Sequence, residues 1–112
     1  MPRSANLAVK LKDAAPLFAA LGDETRLRLV ARLCEGPGSI KQLTSGSSVT
    51  RQAITKHLQV LAGAGLVKDI RRGRERIWEF EALRLEEART YLDEISRQWD
   101  AALSRLKKFV ED

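Results

Sequence analysis

Apolar residues recur every three or four positions over most of this chain, and that spacing predicts α-helices. A first helix is expected over 7–21, after a loose tail at 1–6, on the spacing of Leu7, Leu11, Ala14, Phe18 and Leu21. Pro16 lies inside this stretch and predicts a break or a fresh start, because proline cannot donate a helical hydrogen bond. The chain is therefore expected to open with an interrupted helix.

A second helix is expected to begin after Asp23, a residue type favoured at the N-cap position. Its apolar stripe is formed by Leu27, Val30 and Leu33 and continues to Cys34. We therefore interpret Cys34 as a buried structural cysteine, with a redox switch as the alternative. The run Gly-Pro-Gly at 36–38 ends the helix, and Ser39 can cap a short helix over 40–44.

A further helix is predicted from its N-cap Thr50 to the glycines at 63 and 65. Its apolar side consists of Ile54, Leu58 and Leu61. The opposite side carries side chains that can donate hydrogen bonds, namely Arg51, Gln52, Thr55, Lys56 and Gln59. Two alternating segments, 66–70 and 76–80, then predict a hairpin that turns at Gly73. A polar helix followed by an arginine-rich hairpin predicts a winged-helix unit that binds DNA.

The last helix is predicted over 83–109, and its apolar residues form a heptad seam. The seam consists of Leu85, Leu92, Trp99 and Leu106, with Ala88, Ile95, Ala102 and Phe109 offset by three. Such a helix spans about 40 Å, more than a small domain can cover. We expect a second copy to cover the seam, with help from Leu17 or Phe18. The alternative is a long helix packed on its own core.

Charge is concentrated where the helix and hairpin are predicted. The chain has 112 residues and a net charge of +5, and 44% of its residues are hydrophobic, which suits one folded domain over 1–112. Residues 51–76 carry seven basic and two acidic side chains, while 77–112 carry six and nine. A phosphate-facing surface needs this distribution, although a solvated basic face would also produce it.

Several function classes find no support in the sequence. No apolar run approaches the roughly 20 residues of a membrane span, and a lone cysteine suits a reducing cytoplasm. One thiol and one imidazole, Cys34 and His57, cannot build a closed zinc site, and His57 is expected to be a packing residue. With no phosphate loop and no nucleophile–base pair, neither a cofactor nor an enzyme is expected.

Two motifs resemble those of the ArsR-type family of bacterial regulators. The stretch 21–29, Leu-Gly-Asp-Glu-Thr-Arg-Leu-Arg-Leu, is similar to the family's opening "L-x-D-x-T-R-x-x-I/L". The stretch 54–61, with Ala-Gly-Leu-Val at 64–67, is similar to its recognition-helix motif. The resemblance covers about 16–109, and Gln98-Trp99 resembles a subgroup whose last helix supports dimerisation. For Thr25 and Arg26 the favoured interpretation is a helix-start pair with ordinary surface contacts, with a family-specific role as the alternative.

The resemblance implies a mostly α fold with a small β-hairpin wing, a winged helix-turn-helix with a long C-terminal dimerisation helix. Family members are typically homodimers that repress their own operon by binding a palindromic operator. The predicted DNA-contacting residues are Thr50, Arg51, Gln52, Ala53, Thr55, Lys56, Gln59, Arg72, Gly73, Arg74 and Arg76. The predicted dimer interface is Leu17, Phe18, Leu85, Ala88, Leu92, Ile95, Trp99 and Leu106.

The chain departs from the family where many members bind thiophilic metals. The segment 37–43 lacks the family's Cys-x-Cys pair, and the last helix has no histidine. Metal sensing is therefore not expected, and no other effector is indicated. The alternative to a sequence-specific regulator is a winged-helix module that serves an architectural or protein-binding role without reading sequence.

Overall fold

The computed structural model describes the backbone of residues 3–111 and the side chains of 12–111. Its elements in chain order are α1 (Arg3–Leu21), α2 (Glu24–Leu33), β1 (Gly38–Ser39), α3 (Ile40–Thr44), α4 (Arg51–Gly63), β2 (Val67–Arg72), β3 (Glu75–Phe80) and α5 (Ala82–Glu111). The mostly helical fold with a small hairpin is thus confirmed. The stretches α3 and α4, with the turn between them, form the helix-turn-helix, and β2 and β3 form the wing.

One apolar core joins the helices to the sheet. Its buried side chains come from every helix and from the sheet, and include Leu17, Leu29, Leu33, Leu43, Ile54, Leu58, Leu61, Leu66, Trp78 and Ala88. Full burial of such a side chain stabilises a fold by about 1.5–3 kcal/mol. The predicted inward side of α4 is confirmed, since Ile54, Leu58 and Leu61 are all buried.

The predicted break in α1 is wrong. The helix runs without interruption from Arg3 to Leu21 with Pro16 inside it, so Arg3–Asn6 are helical as well, and residues 1–2 lie outside the described part. Pro16 is exposed, whereas Ala14 and Leu17 on either side of it are buried. Tertiary packing on both sides of the proline compensates for the hydrogen bond that its nitrogen cannot donate.

Two expectations for α2 need correction. Leu29 is buried with Leu33, whereas Leu27 is 52% exposed. Positions two residues apart lie about 200° apart around a helix, so Leu27 and Leu29 cannot share its buried side. Cys34 follows the last helical residue and is an exposed free thiol instead of a buried one. The N-cap is confirmed, because Asp23 Oδ2 accepts from the backbone N–H of Arg26 at 3.0 Å.

Helix caps and turns lie where local chemistry placed them. Ser39 forms a full capping box with Gln42 at the start of α3. Arg72 pairs with Glu75 across the hairpin, so the two residues of the turn are Gly73 and Arg74. Gly73 has φ +63°, a conformation that side chains disfavour and that glycine supplies at the first position of a type II′ turn.

The sheet has a third strand that sequence patterning missed. The order is β1-β3-β2, and the two residues of β1 pair antiparallel with β3, Gly38 opposite Trp78 and Ser39 opposite Ile77. A strand of two residues is too short to show the alternation of apolar and polar residues that predicts strands from sequence. This strand connects the start of the helix-turn-helix to the base of the wing.

The two halves of α5 have different surroundings. Near its start, Ala88 and Tyr91 are buried against the domain, and Leu85 is half-buried. Beyond them the same side of the helix is open, with Leu92 52%, Trp99 65% and Leu106 59% exposed. The 30-residue helix is about 45 Å long, so its second half extends past the core.

Part of the predicted dimer interface belongs to the core of the single chain. Leu17 is 0% exposed and Ala88 4%, so neither side chain is available to a second copy. Phe18 is half-buried, and its ring lies edge-on to that of Tyr91 with centroids 6.5 Å apart. Heptad spacing placed Ala88 in the predicted interface, and Leu17 was added as help from the first helix; neither argument distinguishes a core contact from a contact with a partner.

Candidate nucleic-acid interface

The outer side of α4 presents long polar side chains. Arg51, Gln52, Lys56 and Gln59 are exposed, and with Thr55 they span about 140° of the helix circumference, away from its buried side. Thr50 caps the helix by accepting from the backbone N–H of Ala53 at 3.1 Å. The structure therefore brings this predicted group together on one side of a helix.

Two of the predicted residues on α4, Thr55 and Ala53, have less capacity to contact DNA than the exposed side chains beside them. Thr55 is half-buried, and its hydroxyl donates to the carbonyl oxygen of Arg51 at 2.8 Å. Its proton is thus already bound within the helix, and its oxygen is left mainly as an acceptor. Ala53 is half-buried on the flank of the polar side, where it offers only a methyl group.

The tip of the wing carries uncompensated positive charge. Arg72 and Arg74 are exposed and flank Gly73. Arg71, which was not among the predicted contacts, is exposed too. Among the described side chains none of these three arginines has a carboxylate within 4 Å, and the same is true of Arg51 and Lys56 on α4. We call Arg51, Gln52, Lys56, Gln59, Arg71, Arg72 and Arg74 the α4–wing surface.

Arg76 differs from the other wing arginines. Its Nε lies 2.9 Å from Asp69 Oδ2 on the neighbouring strand, so its charge is largely compensated. Arg76 is also the cross-strand partner of Arg71. Like charges directly opposite each other destabilise a hairpin, and Asp69 offsets that repulsion. Arg76 is therefore a structural residue of the hairpin. Sequence spacing alone could not show that Asp69 is its partner.

A polar cluster fixes α4 against the helices before it. Arg26 donates from Nε to the carbonyl oxygen of Ala20, at the end of α1, and its Nη1 lies 3.3 Å from Nδ1 of His57 in the middle of α4. Nδ1 of His57 is also 3.8 Å from Asp23 Oδ2. His57 is half-buried in this cluster, and Arg26 joins three helices instead of making ordinary surface contacts.

The same cluster perturbs Asp23. The backbone N–H of Arg26 is the main cause that holds the pKa of the Asp23 carboxyl below its ordinary value. Desolvation is the next largest effect and raises the pKa, but the nearby charge of Arg26 and the proximity of His57 lower it again, so the net shift is downward. The ionised carboxylate is thus the form that the folded state favours.

The described part of the chain shows neither a metal-binding cluster nor a membrane-spanning helix. Within the described residues, no three side chains of His, Cys, Asp or Glu are grouped so that they could hold a metal ion. None of the described helices is both long and apolar enough to cross a membrane.

Comparison with known proteins identifies the fold and the class of function. A helix-turn-helix domain family matches residues 21–70. The HTH-type transcriptional regulator Rv2034 of Mycobacterium tuberculosis is 36% identical over 94 residues, 84% of this chain and 85% of that protein. The uncharacterised HTH-type transcriptional regulator YuzN of Bacillus subtilis is 43% identical over 76 residues, 62% of this chain and 80% of that protein.

A solved structure shares the fold over most of the chain. The ArsR-like transcriptional regulator from Rhodococcus sp. RHA1 is 34% identical, with a TM-score of 0.70 over 88% of this chain and 93% of that one. These relatives are transcriptional regulators and not enzymes. With the helix-turn-helix, the hairpin wing and the long C-terminal helix described above, the chain belongs to the ArsR family of winged helix-turn-helix transcriptional regulators.

Proposed function

We propose that the protein is a homodimeric repressor, acting in the cytoplasm, that binds a palindromic operator of its own operon and needs no metal or other cofactor. The observation that carries the proposal is the α4–wing surface, where exposed hydrogen-bond donors and uncompensated arginines occur on adjacent elements. Double-stranded DNA offers both phosphates and base edges, which these two kinds of group bind.

The side chains on α4 are suited to base edges. Arg51 can bind guanine O6 and N7 with two hydrogen bonds, and Gln52 can bind adenine N6 and N7. The methyl group of Ala53 suits the thymine methyl. Thr50, Lys56 and Gln59 then serve the flanking phosphates or bases.

The wing supplies affinity in this proposal. Arg72 and Arg74 bind phosphates or enter the minor groove, with Arg71 as an additional cation. Gly73 contributes its turn conformation and no side chain. Arg76 is a weaker candidate than its predicted role suggests, because Asp69 already compensates its charge. Thr55 likewise acts as an acceptor, since its proton is bound to Arg51.

The exposed half of α5 supports the homodimer. Leu92, Trp99 and Leu106 form one side of the helix together with the half-buried Ile95, and exposing all of them to water is costly. Leu85 belongs to the same heptad seam and Phe18 packs against Tyr91 of α5, and both are half-buried. A two-fold dimer places its recognition helices about 34–36 Å apart, one turn of DNA, which implies a palindromic site.

Repression without a metal rests on three points. A dimer bound over a promoter blocks its use, and the family resemblance implies control of the protein's own operon. Cys34 lies at the end of α2, whereas His57 lies on α4. The Nδ1 atom of His57 is already in contact with Arg26 and Asp23. The thiol and the imidazole therefore do not supply a ligand set that resembles a zinc site.

A competition experiment at controlled salt tests the proposal. The protein is titrated against DNA from upstream of its own gene and against scrambled DNA of the same length. We expect preference for the natural DNA and lower transcription from it, both unchanged by stoichiometric zinc, cadmium or arsenite. Equal binding to both DNAs would favour an architectural module, and release by stoichiometric metal that depends on Cys34 would overturn metal independence.

A further inference from the structure

One side chain connects the end of the recognition helix to α5 and α1. Nε of Arg84, in the first turn of α5, donates to the carbonyl oxygen of Ala64 at 3.1 Å. Nη1 lies 3.1 Å from Asp13 Oδ2 and 2.8 Å from Glu87 Oε2, and Nη2 donates to the carbonyl oxygen of Asp13 at 3.0 Å. The Arg84 side chain is 17% exposed, so water screens these bonds only in part.

The contact with α4 is at a position where a cation is favoured. Ala64 is the C-cap of α4, and the carbonyls at a helix end have no helical donor. The negative end of the helix dipole also attracts a guanidinium. The stem of Arg84 packs on the next residue, since a Cβ added to Gly65 would lie 3.6 Å from Arg84 Cγ. Arg84 therefore contacts this helix end in two ways. Its Nε binds the carbonyl oxygen of Ala64, and its aliphatic stem packs on the backbone of Gly65.

The contact with α1 is doubled. Asp13 binds Arg84 through both its carboxylate and its backbone carbonyl, and Tyr91 Oη lies 3.5 Å from the same carboxylate. Glu87, one turn further along α5, fixes the guanidinium from its own helix. We call Asp13, Ala64, Arg84 and Glu87 the Arg84 brace. The planar guanidinium of Arg84 can donate several hydrogen bonds in fixed directions at once, which a lysine ammonium cannot reproduce.

We propose that Arg84 is a positioning residue that fixes the angle between α4 and α5, and thereby sets the half-site spacing that the dimer accepts. This inference rests on the proposed homodimer and palindromic operator. Trp99 is 15 residues along α5 from Arg84, about 22 Å away. If α4 tilts by about 10° relative to α5, the recognition helix moves by about 4 Å relative to the interface, close to the ~3.4 Å rise of one base pair.

The test compares Arg84→Met with Arg97→Met. Methionine keeps an unbranched stem over Gly65 and removes every bond of the guanidinium. Arg97 is a matched control, since it also lies on α5 and pairs with a glutamate three residues away, Glu94, but it is exposed and, among the side chains of 12–111, makes no hydrogen bond or ion pair with another helix. Both variants and the parent protein are titrated against operators whose half-site spacing is shortened by one base pair, natural, or lengthened by one or two.

The parent protein and Arg97→Met should prefer one spacing by about tenfold or more, the size of a mismatch penalty. Arg84→Met should bind all spacings within about threefold of one another while its light-scattering mass stays that of a dimer. If Arg84→Met does not fold, Arg84→Lys and Asp13→Ala replace it, and each should reduce the preference in part. A merely structural role would lower the melting temperature without changing the spacing preference.

Two results are distinguishable. A folded Arg84→Met dimer that keeps the parent's spacing preference overturns the positioning role and leaves the proposed function intact. A parent protein that is monomeric, or that binds every spacing equally, overturns the proposed function and this inference with it.

Discussion

Arg26 and His57, 31 residues apart in the chain, lie with Nη1 and Nδ1 at 3.3 Å, and this contact joins α2 to the middle of the recognition helix. The same guanidinium binds the carbonyl oxygen of Ala20 at the end of α1. Arg26 therefore helps to orient α4 through His57, a residue outside the predicted base-reading set.

Replacing Arg26 with alanine should destabilise the fold by about 1.5–3 kcal/mol, because hydrogen bonds to charged groups contribute about that much. Arg28→Ala is the matched control on the same helix. Among the described side chains Arg28 pairs with Glu24 alone, and both are about four-fifths exposed, so its loss should cost well under about 1 kcal/mol. Urea denaturation measures both. Equal losses for the two variants would show that the Arg26 cluster contributes nothing special.

Acid should weaken the fold through Asp23. Its pKa is lower in the folded chain than its ordinary value of 3.8, mainly because the backbone N–H of Arg26 donates to it. The ionised form is therefore favoured by folding, so this contribution is complete above the unfolded pKa and is lost as pH falls through the lower folded value. Asparagine can still cap the helix but does not titrate.

Asp23→Asn is the appropriate comparison. The stability difference between the parent protein and Asp23→Asn should be constant near neutral pH and should shrink below about pH 4. Denaturation curves at a series of pH values measure it. A difference that grows on acidification would mean that the carboxylate is not favoured by the folded state.

The buried side of α2 can be tested with two leucines. Leu29→Ala should cost about 2–5 kcal/mol, since it leaves a cavity in the core. Leu27→Ala removes the same atoms from a side chain that is 52% exposed and should cost under about 1 kcal/mol. Thermal and chemical unfolding distinguish them. The opposite ranking would restore the stripe predicted from sequence.

The dimer depends on Trp99 if the proposal is correct. Trp99→Glu places two unpaired carboxylates in the interface, which costs several kcal/mol and raises the dimer Kd by about 100-fold or more. Light scattering should then show a monomer, with loss of operator binding. Thr90→Glu adds the same charge nine residues earlier, about 180° around α5, and should remain dimeric. A dimeric Trp99→Glu protein would locate the interface elsewhere.

Base recognition and phosphate binding should separate between α4 and the wing. Arg51→Ala and Gln52→Ala should each relax preference at particular operator bases, by about 1–3 kcal/mol per half-site. Arg74→Ala should weaken operator and scrambled DNA alike and reduce the salt slope by about one unit per protomer. Titrations of both DNAs at several salt concentrations provide the comparison. Equal losses on both DNAs for the α4 variants would mean that α4 does not read bases.

Local chemistry was sufficient to locate most elements from the sequence. Ser39 and Thr50 cap helices at the predicted positions, and Gly73 turns the wing, because each depends on groups within three residues. The buried side of α4 followed from its period. The polar side of the same helix followed as its complement, and the motifs at 21–29 and 54–67 identified the family.

Tertiary structure decided what each helix packs against. The amphipathic pattern of α2 was compatible with burial of either Leu27 or Leu29, and only docking in the core selected Leu29. Packing on both sides kept α1 continuous through Pro16, and the helix end left Cys34 exposed. The two residues of β1 gain their partners only when β3 lies beside them.

The same holds for the residues that connect the helices. Arg26 reaches His57 across 31 residues, and Arg84 reaches Asp13 across 71, separations over which no sequence period carries information. Spacing placed Ala88 on the heptad seam, but only the folded chain shows that its own core covers Ala88 and also Leu17. Sequence determined where helices begin, turn and expose polar groups, because those depend on neighbouring residues. Contacts between distant elements depend on the three-dimensional arrangement, and the structure alone decided them.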